Sequence, residues 1–315
     1  MDSNFIPLIY SELSLSLYPQ LIKLIPTTID IQVAIRCITY SLLAIIGYYI
    51  NKNTNTKPST VSISITNTPI NTNTNILSFT ITSIVMGLVN IIHIFSSYLS
   101  YNILSSGVGY SIFYIYPIFN LLGRTLFYNE KINKINYIYM SIAIVGVYLI
   151  YKKHKTETEL DINDILKTKN TTIGVIAGIV SALTESIIYF MVKDNPIGVS
   201  PFIQLFKTYL FGGILSIIYL IHNIATNTNT NMFLDLDYNY WITLILFNAI
   251  IGFVGYLLRF IMIPKLSTLL FNSLIFIGVI FSYMWGYILS NEPITYSNLS
   301  GTLLILMSIF LINNK

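Results

Sequence analysis

Two acidic side chains stand out because each lies in an otherwise apolar stretch of the chain. They are Glu12 and Glu185, and each is followed toward the end of its stretch by a lysine, Lys23 or Lys193. An ionisable group within a membrane-spanning helix costs roughly 2.5–3.5 kcal/mol on insertion scales, so its presence needs a reason. We expect either a carboxylate that binds substrate or shuttles a proton, or a salt bridge to a neighbouring basic residue.

Three basic side chains also fall within apolar stretches. Arg36 and Lys207 lie about two turns inside theirs, where a positive charge could bind an anionic solute. Alternatively, they could reach the membrane interface or neutralise Glu12 and Glu185. Arg259 lies near the end of its stretch and fits either substrate binding or interface anchoring, and anchoring is the preferred interpretation.

Uncharged polar and aromatic residues give further candidates. His93, near Asn90 in the middle of an apolar stretch, could hydrogen-bond a substrate, although a hydrogen bond between helices is the commoner use of a lone membrane histidine. Tyr116 could stack on a base or sugar, but with 24 tyrosines in the chain packing is the favoured interpretation. The histidines lack metal-ligand spacing and Cys37 is the only cysteine, so neither a metal, a cofactor nor an intramolecular disulfide is expected.

Composition indicates which kind of structure holds these residues. The chain is 54% hydrophobic and 10% charged, whereas soluble domains carry roughly 25% charged residues. Its apolar blocks are about as long as a membrane-spanning helix, and they do not alternate in polarity as the strands of a membrane barrel do. The sequence therefore predicts an all-α, multi-pass integral membrane protein. Its scattered lysines suit helix ends better than nucleic-acid binding.

The apolar blocks predict ten transmembrane helices. Their expected ranges are 5–24, 29–50, 79–101, 107–128, 136–151, 172–192, 201–221, 241–263, 266–289 and 294–312. Tracts of Asn and Thr at 51–75 and 226–231 are expected to be flexible loops, since they cannot bury enough apolar surface to fold. Pro117 is expected to kink its helix.

Two stretches of the chain repeat each other. When Asn291 is aligned with Asn129, the two copies share the Asn-Glu pair, an isoleucine, a later asparagine and a closing Leu-Ile. We expect a first five-helix repeat at 1–151, a charged linker at 152–170 and a second repeat at 171–315. Because each repeat has an odd number of helices, the two are expected to be inverted in the membrane. Glu130 and Glu292 just precede predicted helices and are expected to cap them.

The order of motifs is similar in the two halves. In each half, a helix rich in small residues is followed by a helix that ends at a glutamate and then by one further helix. The motifs of the first half are Met86-Gly87-Leu88, Tyr116-Pro117-Ile118 and Glu130. Those of the second half are Gly252-Phe253-Val254-Gly255, Trp285-Gly286 and Glu292. This pattern resembles the drug/metabolite transporter superfamily with two EamA-type repeats, including its nucleotide-sugar-transporter-like relatives. Arg36 resembles a position where that family usually has arginine. The resemblance implies ten helices, cytosolic termini and transport of small organic solutes.

A secondary transporter is therefore the expected function, moving a small polar or anionic metabolite by alternating access. A non-transporting membrane scaffold or receptor is the alternative, followed by a membrane-embedded enzyme. An enzyme would need a cluster of metal ligands or a nucleophile, which the sequence does not show, so no enzymatic activity is expected. The expected partners are a small-molecule solute, the lipid bilayer and, as an open alternative, a second copy of the chain; the sequence does not fix which membrane it occupies.

Overall fold

The computed structural model describes residues 6–54, 72–128, 133–156, 162–193, 200–226, 237–266 and 268–313. Regular secondary structure in these ranges is helical throughout. The first half forms α1 (Ile6–Leu15), α2 (Tyr18–Leu24), α3 (Ile29–Thr54), α4 (Thr72–Ile103), α5 (Ser106–Phe113), α6 (Tyr116–Tyr128) and α7 (Lys134–Thr156). The second half forms α8 (Ile162–Lys193), α9 (Pro201–Ala225), α10 (Tyr238–Leu246), a π-helical segment (Phe247–Gly252), α11 (Phe253–Met262), α12 (Thr268–Leu274), α13 (Ile277–Ser290) and α14 (Tyr296–Asn313).

Several helical stretches have the length and composition of membrane spans. Within the described ranges there are six, at Ile29–Lys52, Ile81–Ile103, Asn170–Lys193, Pro201–Ala225, Tyr238–Met262 and Leu270–Ser290. Two shorter apolar helices occupy Lys134–Ile150 and Tyr296–Leu311. Apolar side chains cover much of the exterior, as on α9, where Ile218 and Ile221 are exposed. An apolar exterior of this kind is expected for a protein whose solvent is lipid.

Three of the predicted helices are interrupted. The first divides into α1 and α2 at Ser16-Leu17, although Phe5, its predicted start, lies outside the described residues. The fourth divides into α5 and α6, just before Pro117. A proline cannot donate a backbone hydrogen bond, which accounts for the break there. The ninth also divides, between α12 and α13, although Val279 stands at the aligned position. Proline is therefore not required for this break.

The segments between helices are shorter than predicted. α7 continues to Thr156 and α8 begins at Ile162, so the expected linker at 152–170 is helical wherever the structure describes it. The two Asn-Thr tracts lie mainly outside the described residues, at 55–71 and 227–236, as does Glu130. Long helices therefore extend beyond their apolar portions.

The two halves of the chain pack against each other throughout the bundle. The most extensive contacts pair α3 with α9, α4 with α8 and α7 with α14, and α1 also packs on α11 and α5 on α13. The crossing of α7 and α14 is especially close. A Cβ atom added to Gly146 would lie 2.6 Å from the Gly301 carbonyl oxygen, and one on Gly301 would lie 2.7 Å from the Gly146 carbonyl oxygen. Only glycine allows two helix backbones to approach so closely.

Candidate functional site

A group of charged side chains lies in the middle of the helical bundle. Glu12 of α1, Glu185 of α8 and Arg259 of α11 are only 0%, 2% and 2% exposed. Arg259 Nη1 lies 3.4 Å from Glu185 Oε1, and its Nε lies 3.9 Å from Glu12 Oε1. One guanidinium therefore lies between two carboxylates that approach from different helices. In such an interior, opposite charges interact far more strongly than in water.

Tyrosine hydroxyls complete the shell around this group. Tyr114 donates a hydrogen bond to Glu12 Oε2, and Arg259 Nη2 donates one of 2.8 Å to the Tyr116 hydroxyl. Both tyrosines are fully buried at the break between α5 and α6. The interruption thus directs two side chains that are two residues apart in one predicted helix toward the same charged centre. Tyr116, a predicted site residue, lies at this centre.

The preferred role of Arg259 as an interface anchor was wrong. Its position near the end of an apolar stretch suggested a location near the membrane surface, but α11 packs against α1 in the interior. The alternative that Arg36 and Lys207 neutralise Glu12 and Glu185 is also not what the structure shows, since Arg259 contacts both carboxylates.

His93 connects α4 to this centre. Its Nε2 lies 3.5 Å from Glu185 Oε2, and its Nδ1 is 3.1 Å from the Ser181 carbonyl oxygen one turn earlier on α8. The predicted hydrogen bond between helices is confirmed. Tyr256 of α11 donates a further hydrogen bond of 3.4 Å to Glu185. Glu185 is thus held by side chains from α4 and α11.

Arg36 of α3 is the second buried arginine, at 4% exposure. Its Nη1 and Nη2 donate hydrogen bonds of 3.4 Å and 3.2 Å to the Tyr98 and Tyr209 hydroxyls. The guanidinium carbon also lies over further tyrosine rings, with centroid distances of 4.4 Å for Tyr18, 5.1 Å for Tyr40 and 5.4 Å for Tyr256. Cation–π attraction supports this placement. Its Nε has no hydrogen-bond partner.

The tyrosines around Arg36, namely Tyr18, Tyr40, Tyr98 and Tyr209, are called the tyrosine cage here. The π-helical segment helps to position two of them. Tyr18 donates a hydrogen bond of 2.9 Å to Asn248 Oδ1 within the segment, and its hydroxyl lies 2.6 Å from that of Tyr40. A side chain on Gly252 would collide with both hydroxyls. Glycine at the end of the π-helical segment therefore allows the rings of Tyr18 and Tyr40 to meet beside Arg36.

A small cavity lies between the two arginines. The cavity has a volume of about 30 Å³, and its lining includes Arg36, Arg259, His93, Tyr101 and Tyr110. A single water needs roughly 10–15 Å³ by this measure, so about two waters would fit. Side chains from both halves of the chain surround the space. The cavity therefore has two guanidinium groups in its lining and room for little more than water.

One end of the bundle is closed by a polar group that we call the Lys23 cluster. It consists of Gln20, Lys23, Ser106, Ser290 and Glu292. Lys23 Nζ lies 2.5 Å from Glu292 Oε1, and Glu292 Oε2 accepts a 2.7 Å hydrogen bond from the Ser106 backbone N–H. Glu292 therefore caps the start of α5, not the start of the helix that follows it. Gln20 donates a 2.5 Å hydrogen bond to Ser106 and accepts one from Ser290.

Lys193 closes the opposite end. Its Nζ donates hydrogen bonds of 3.0 Å and 2.6 Å to the carbonyl oxygens of Ile263 and Leu266, just after α11. Residue 12 lies beside residue 259, and residue 18 lies beside residue 248. The chain from α1 to α2 therefore runs antiparallel to α11, which places the Lys23 cluster and Lys193 at different ends.

The comparisons with known proteins agree with this architecture. Residues 172–314 match the EamA-like transporter family. The resemblance to the drug/metabolite transporter superfamily is thereby confirmed for the second half of the chain. That family consists of integral membrane transporters rather than enzymes, and together with the apolar helices the match identifies a multi-pass membrane protein. The EamA-like half carries Glu185, Lys207 and Arg259.

The whole chain also resembles solved structures. One of 17 matching chains, described only as "Crystal structure of protein", aligns over 99% of this chain and 94% of its own length, with a TM-score of 0.55. At 11% sequence identity this likeness concerns the fold alone. The search of curated proteins finds no match to this chain.

Of the predicted site residues, Arg36, His93 and Arg259 line the cavity, and Glu12, Glu185 and Tyr116 contact Arg259 behind the lining, whereas Asn90 and Lys207 do neither. Asn90 is fully buried one turn before His93, and neither of its amide side-chain atoms has a hydrogen-bond partner. Lys207 is partly exposed on α9, two residues before Tyr209. Two residues correspond to about 200° around a helix, so a face that directs Tyr209 at Arg36 directs Lys207 elsewhere. The EamA-like half thus supplies Arg259, not Lys207, to the centre.

Sequence reasoning missed the tyrosine cage. Tyr18, Tyr40, Tyr98 and Tyr209 come from four helices, and the abundance of tyrosine in the chain concealed them. The signal that could have found them is the buried arginine itself. A guanidinium within an apolar helix needs either a carboxylate or aromatic faces around it.

Proposed function

We propose that this chain is a secondary transporter that moves a small polar or anionic metabolite across a membrane by alternating access. The observation that carries the proposal is the small cavity lined by two buried arginines, Arg36 from the first half and Arg259 from the second. A polar space at the junction of two halves is where transporters of this architecture hold their solute. The match of the second half to a transporter family supports the same conclusion.

The proposed architecture is ten transmembrane helices arranged as two inverted five-helix repeats. Contacts between helices support it, because α3–α9, α5–α13 and α7–α14 each pair equivalent helices of the two halves. If each helix is replaced by its equivalent in the other half, the contact between α4 and α8 becomes the contact between α11 and α1, which is also present. The alignment that places Asn291 on Asn129 brings the break after Tyr114 next to the break at Phe276. Both repeats are thus interrupted at the same place.

Alternating access would use the two closed ends separately. The Lys23 cluster holds one end through hydrogen bonds and an ion pair, and Lys193 holds the other through two carbonyl oxygens. Each group can separate without disturbing the charged centre, because it lies at a helix end. The arrangement with both ends held would then be the intermediate between states open to either side.

The test uses purified full-length protein in liposomes. Vesicles with and without the protein are incubated with a mixture of small polar metabolites, and the solutes retained inside are identified by mass spectrometry. We expect at least one solute to accumulate only in vesicles with the protein, and to be lost with Arg36→Gln but kept with Arg124→Gln, a half-buried arginine of α6. If no solute accumulates above the protein-free level while the folded protein is present, the transporter proposal is wrong.

A further inference from the structure

The buried charges near the cavity sum to zero, but the two arginines are not equally neutralised. Glu12 and Glu185 carry two negative charges when ionised, and Arg36 and Arg259 carry two positive charges. Both carboxylates contact Arg259. Arg36, by contrast, has only tyrosine hydroxyls and rings around it, and among the described residues no carboxylate forms an ion pair with it. One guanidinium is therefore neutralised and the other is not.

We propose that Arg36 binds the negative group of a singly charged organic anion, and that one proton binds to Glu12 together with it. This inference rests on the proposed function and names the class of its solute. The ligand would be a monocarboxylate with a flat body that packs against tyrosine rings once the cavity, which has room for about two waters in this structure, has widened. It differs from a phosphate ester, which carries more than one negative charge near neutral pH.

The surroundings of Arg36 favour a carboxylate. Its hydrogen bonds to Tyr98 and Tyr209 are long at 3.4 Å and 3.2 Å, and its Nε, like that of Arg259, is buried without a hydrogen-bond partner. A carboxylate can accept two parallel hydrogen bonds from a guanidinium, which neutral hydroxyls cannot replace in strength. Tyr101 and Tyr110 also line the cavity, and their rings contact each other with centroids 5.9 Å apart. Together they offer an aromatic surface against which one side of a planar ligand could pack.

The proton follows from the charge balance. An anion placed at Arg36 would give the centre one excess negative charge, which is costly to bury. Glu12 is the better of the two carboxylates to receive a proton. It lies farther from Arg259, at 3.9 Å compared with 3.4 Å for Glu185, and its Oε1 has no hydrogen-bond partner. Glu185 could remain ionised because His93 and Tyr256 also contact it.

The groups that face Glu12 come from every helix around it. The titratable ones are Tyr110 of α5, Tyr114 and Tyr116 at the following break, Glu185 of α8 and Arg259 of α11. α13 contributes the backbone at Gly278, where an added Cβ would lie 2.6 Å from Glu12 Oε2. Arg259 is the cation of this set in contact with Glu12. A proton on Glu12 would leave Arg259 paired with Glu185, so no buried charge would become isolated.

The experiment measures ligand binding to the purified full chain in detergent by thermal stabilisation and calorimetry. Benzoate is the probe, benzamide its uncharged match and phenyl phosphate its more highly charged match. We expect benzoate to stabilise the protein and benzamide not to do so. Between pH ~8 and pH ~6 the dissociation constant for benzoate should fall by up to about tenfold per unit, since a proton binds with it. Equal binding of benzamide, tighter binding of phenyl phosphate or no benzoate binding would overturn the proposal.

Variants separate the two parts of the proposal. Arg36→Gln should weaken benzoate binding by at least about thirtyfold, since a buried charge partner is lost. Arg124→Gln is the matched control and should not change it. If Arg36→Gln fails to fold, Arg36→Lys keeps the charge but loses the paired hydrogen bonds, and it should also weaken binding. Unchanged binding in a folded Arg36 variant contradicts the anion site.

Glu12→Gln imitates the protonated carboxylate. It should bind benzoate with an affinity that no longer depends on pH. Glu185→Gln also removes one negative charge, so it too should weaken the dependence, and Arg124→Gln, which leaves the centre unchanged, is the control that should retain it. A dependence that survives in folded Glu12→Gln would contradict the proton site. Failure of this inference is distinct from failure of the transporter proposal. If solutes accumulate in vesicles but benzoate does not bind, only the inference falls; if nothing accumulates, the transporter proposal falls.

Discussion

The two buried arginines lie in opposite surroundings. Arg259 is held between two carboxylates, whereas Arg36 is held by tyrosines and contacts no carboxylate among the described residues. Both side chains are almost completely buried. The comparison teaches that burial alone does not define a role. A neutralised arginine joins helices together, while one that keeps its net charge is available to an anion.

The largest expected effect is that of removing the neutralised arginine. Arg259→Met leaves Glu12 and Glu185 buried without their cation, which should lower the free energy of unfolding by about 3–5 kcal/mol. Arg36→Met removes a cation but leaves no carboxylate without a partner among the described residues, so the decrease in its free energy of unfolding should be smaller. Denaturant unfolding of both variants in the same detergent measures the difference. Equal losses would contradict the contrast between the two sites.

A second prediction tests whether Arg259→Met lowers the free energy of unfolding because two buried carboxylates lose their cation. Adding Glu12→Gln and Glu185→Gln to Arg259→Met removes both unpaired carboxylates. We expect the triple variant to regain at least about 2 kcal/mol, because replacing a whole buried ion cluster is often close to neutral. The same unfolding measurement applies. No recovery would mean that the cost lies in lost packing instead.

A smaller effect compares the tyrosines that accept hydrogen bonds from each arginine. Tyr116→Phe removes the 2.8 Å bond from Arg259 and should destabilise the protein by about 1.5–3 kcal/mol. Tyr98→Phe removes the 3.4 Å bond from Arg36 and should cost only about 1 kcal/mol. Thermal unfolding distinguishes the two. A greater loss for Tyr98→Phe would show that the cage, and not the ion cluster, is the more rigid site.

The smallest effect on stability is expected at the Lys23 cluster. The side chains of Lys23 and Glu292 are 20% and 16% exposed, unlike those at the centre. Lys23→Met should therefore cost only about 0–1 kcal/mol. It should nevertheless increase labelling of a cysteine placed at Ser290, because that end is held less firmly. A large stability loss without increased labelling would contradict a gating role; Lys265→Met, an exposed lysine, is the control.

The sequence predicted that the chain is helical, because apolar blocks are a local signal, but it did not predict the breaks within three of the helices. It also drew attention to Glu12, Glu185 and Arg36, since any charge in an apolar block is visible without knowledge of the fold. It could not assign Arg259 as the partner of Glu12, because those residues are distant in the chain and meet only after α1 and α11 pack. The prediction that Glu292 caps the helix following it was wrong for the same reason. A cap is normally local, whereas this carboxylate binds the start of a helix in the other half.

The close crossing of α7 and α14 has a mechanical consequence. With Gly146 and Gly301 in contact through their backbones, the two helices cannot approach further, but they can turn about the contact. The end of α14 lies about 18 Å from Gly301 at roughly 1.5 Å per residue, so a rotation of about 10° would move it by about 3 Å. Added to an ordinary donor–acceptor distance of about 3 Å, that displacement would break a hydrogen bond. A small rigid rotation at a glycine pivot is therefore enough to separate groups at the helix ends.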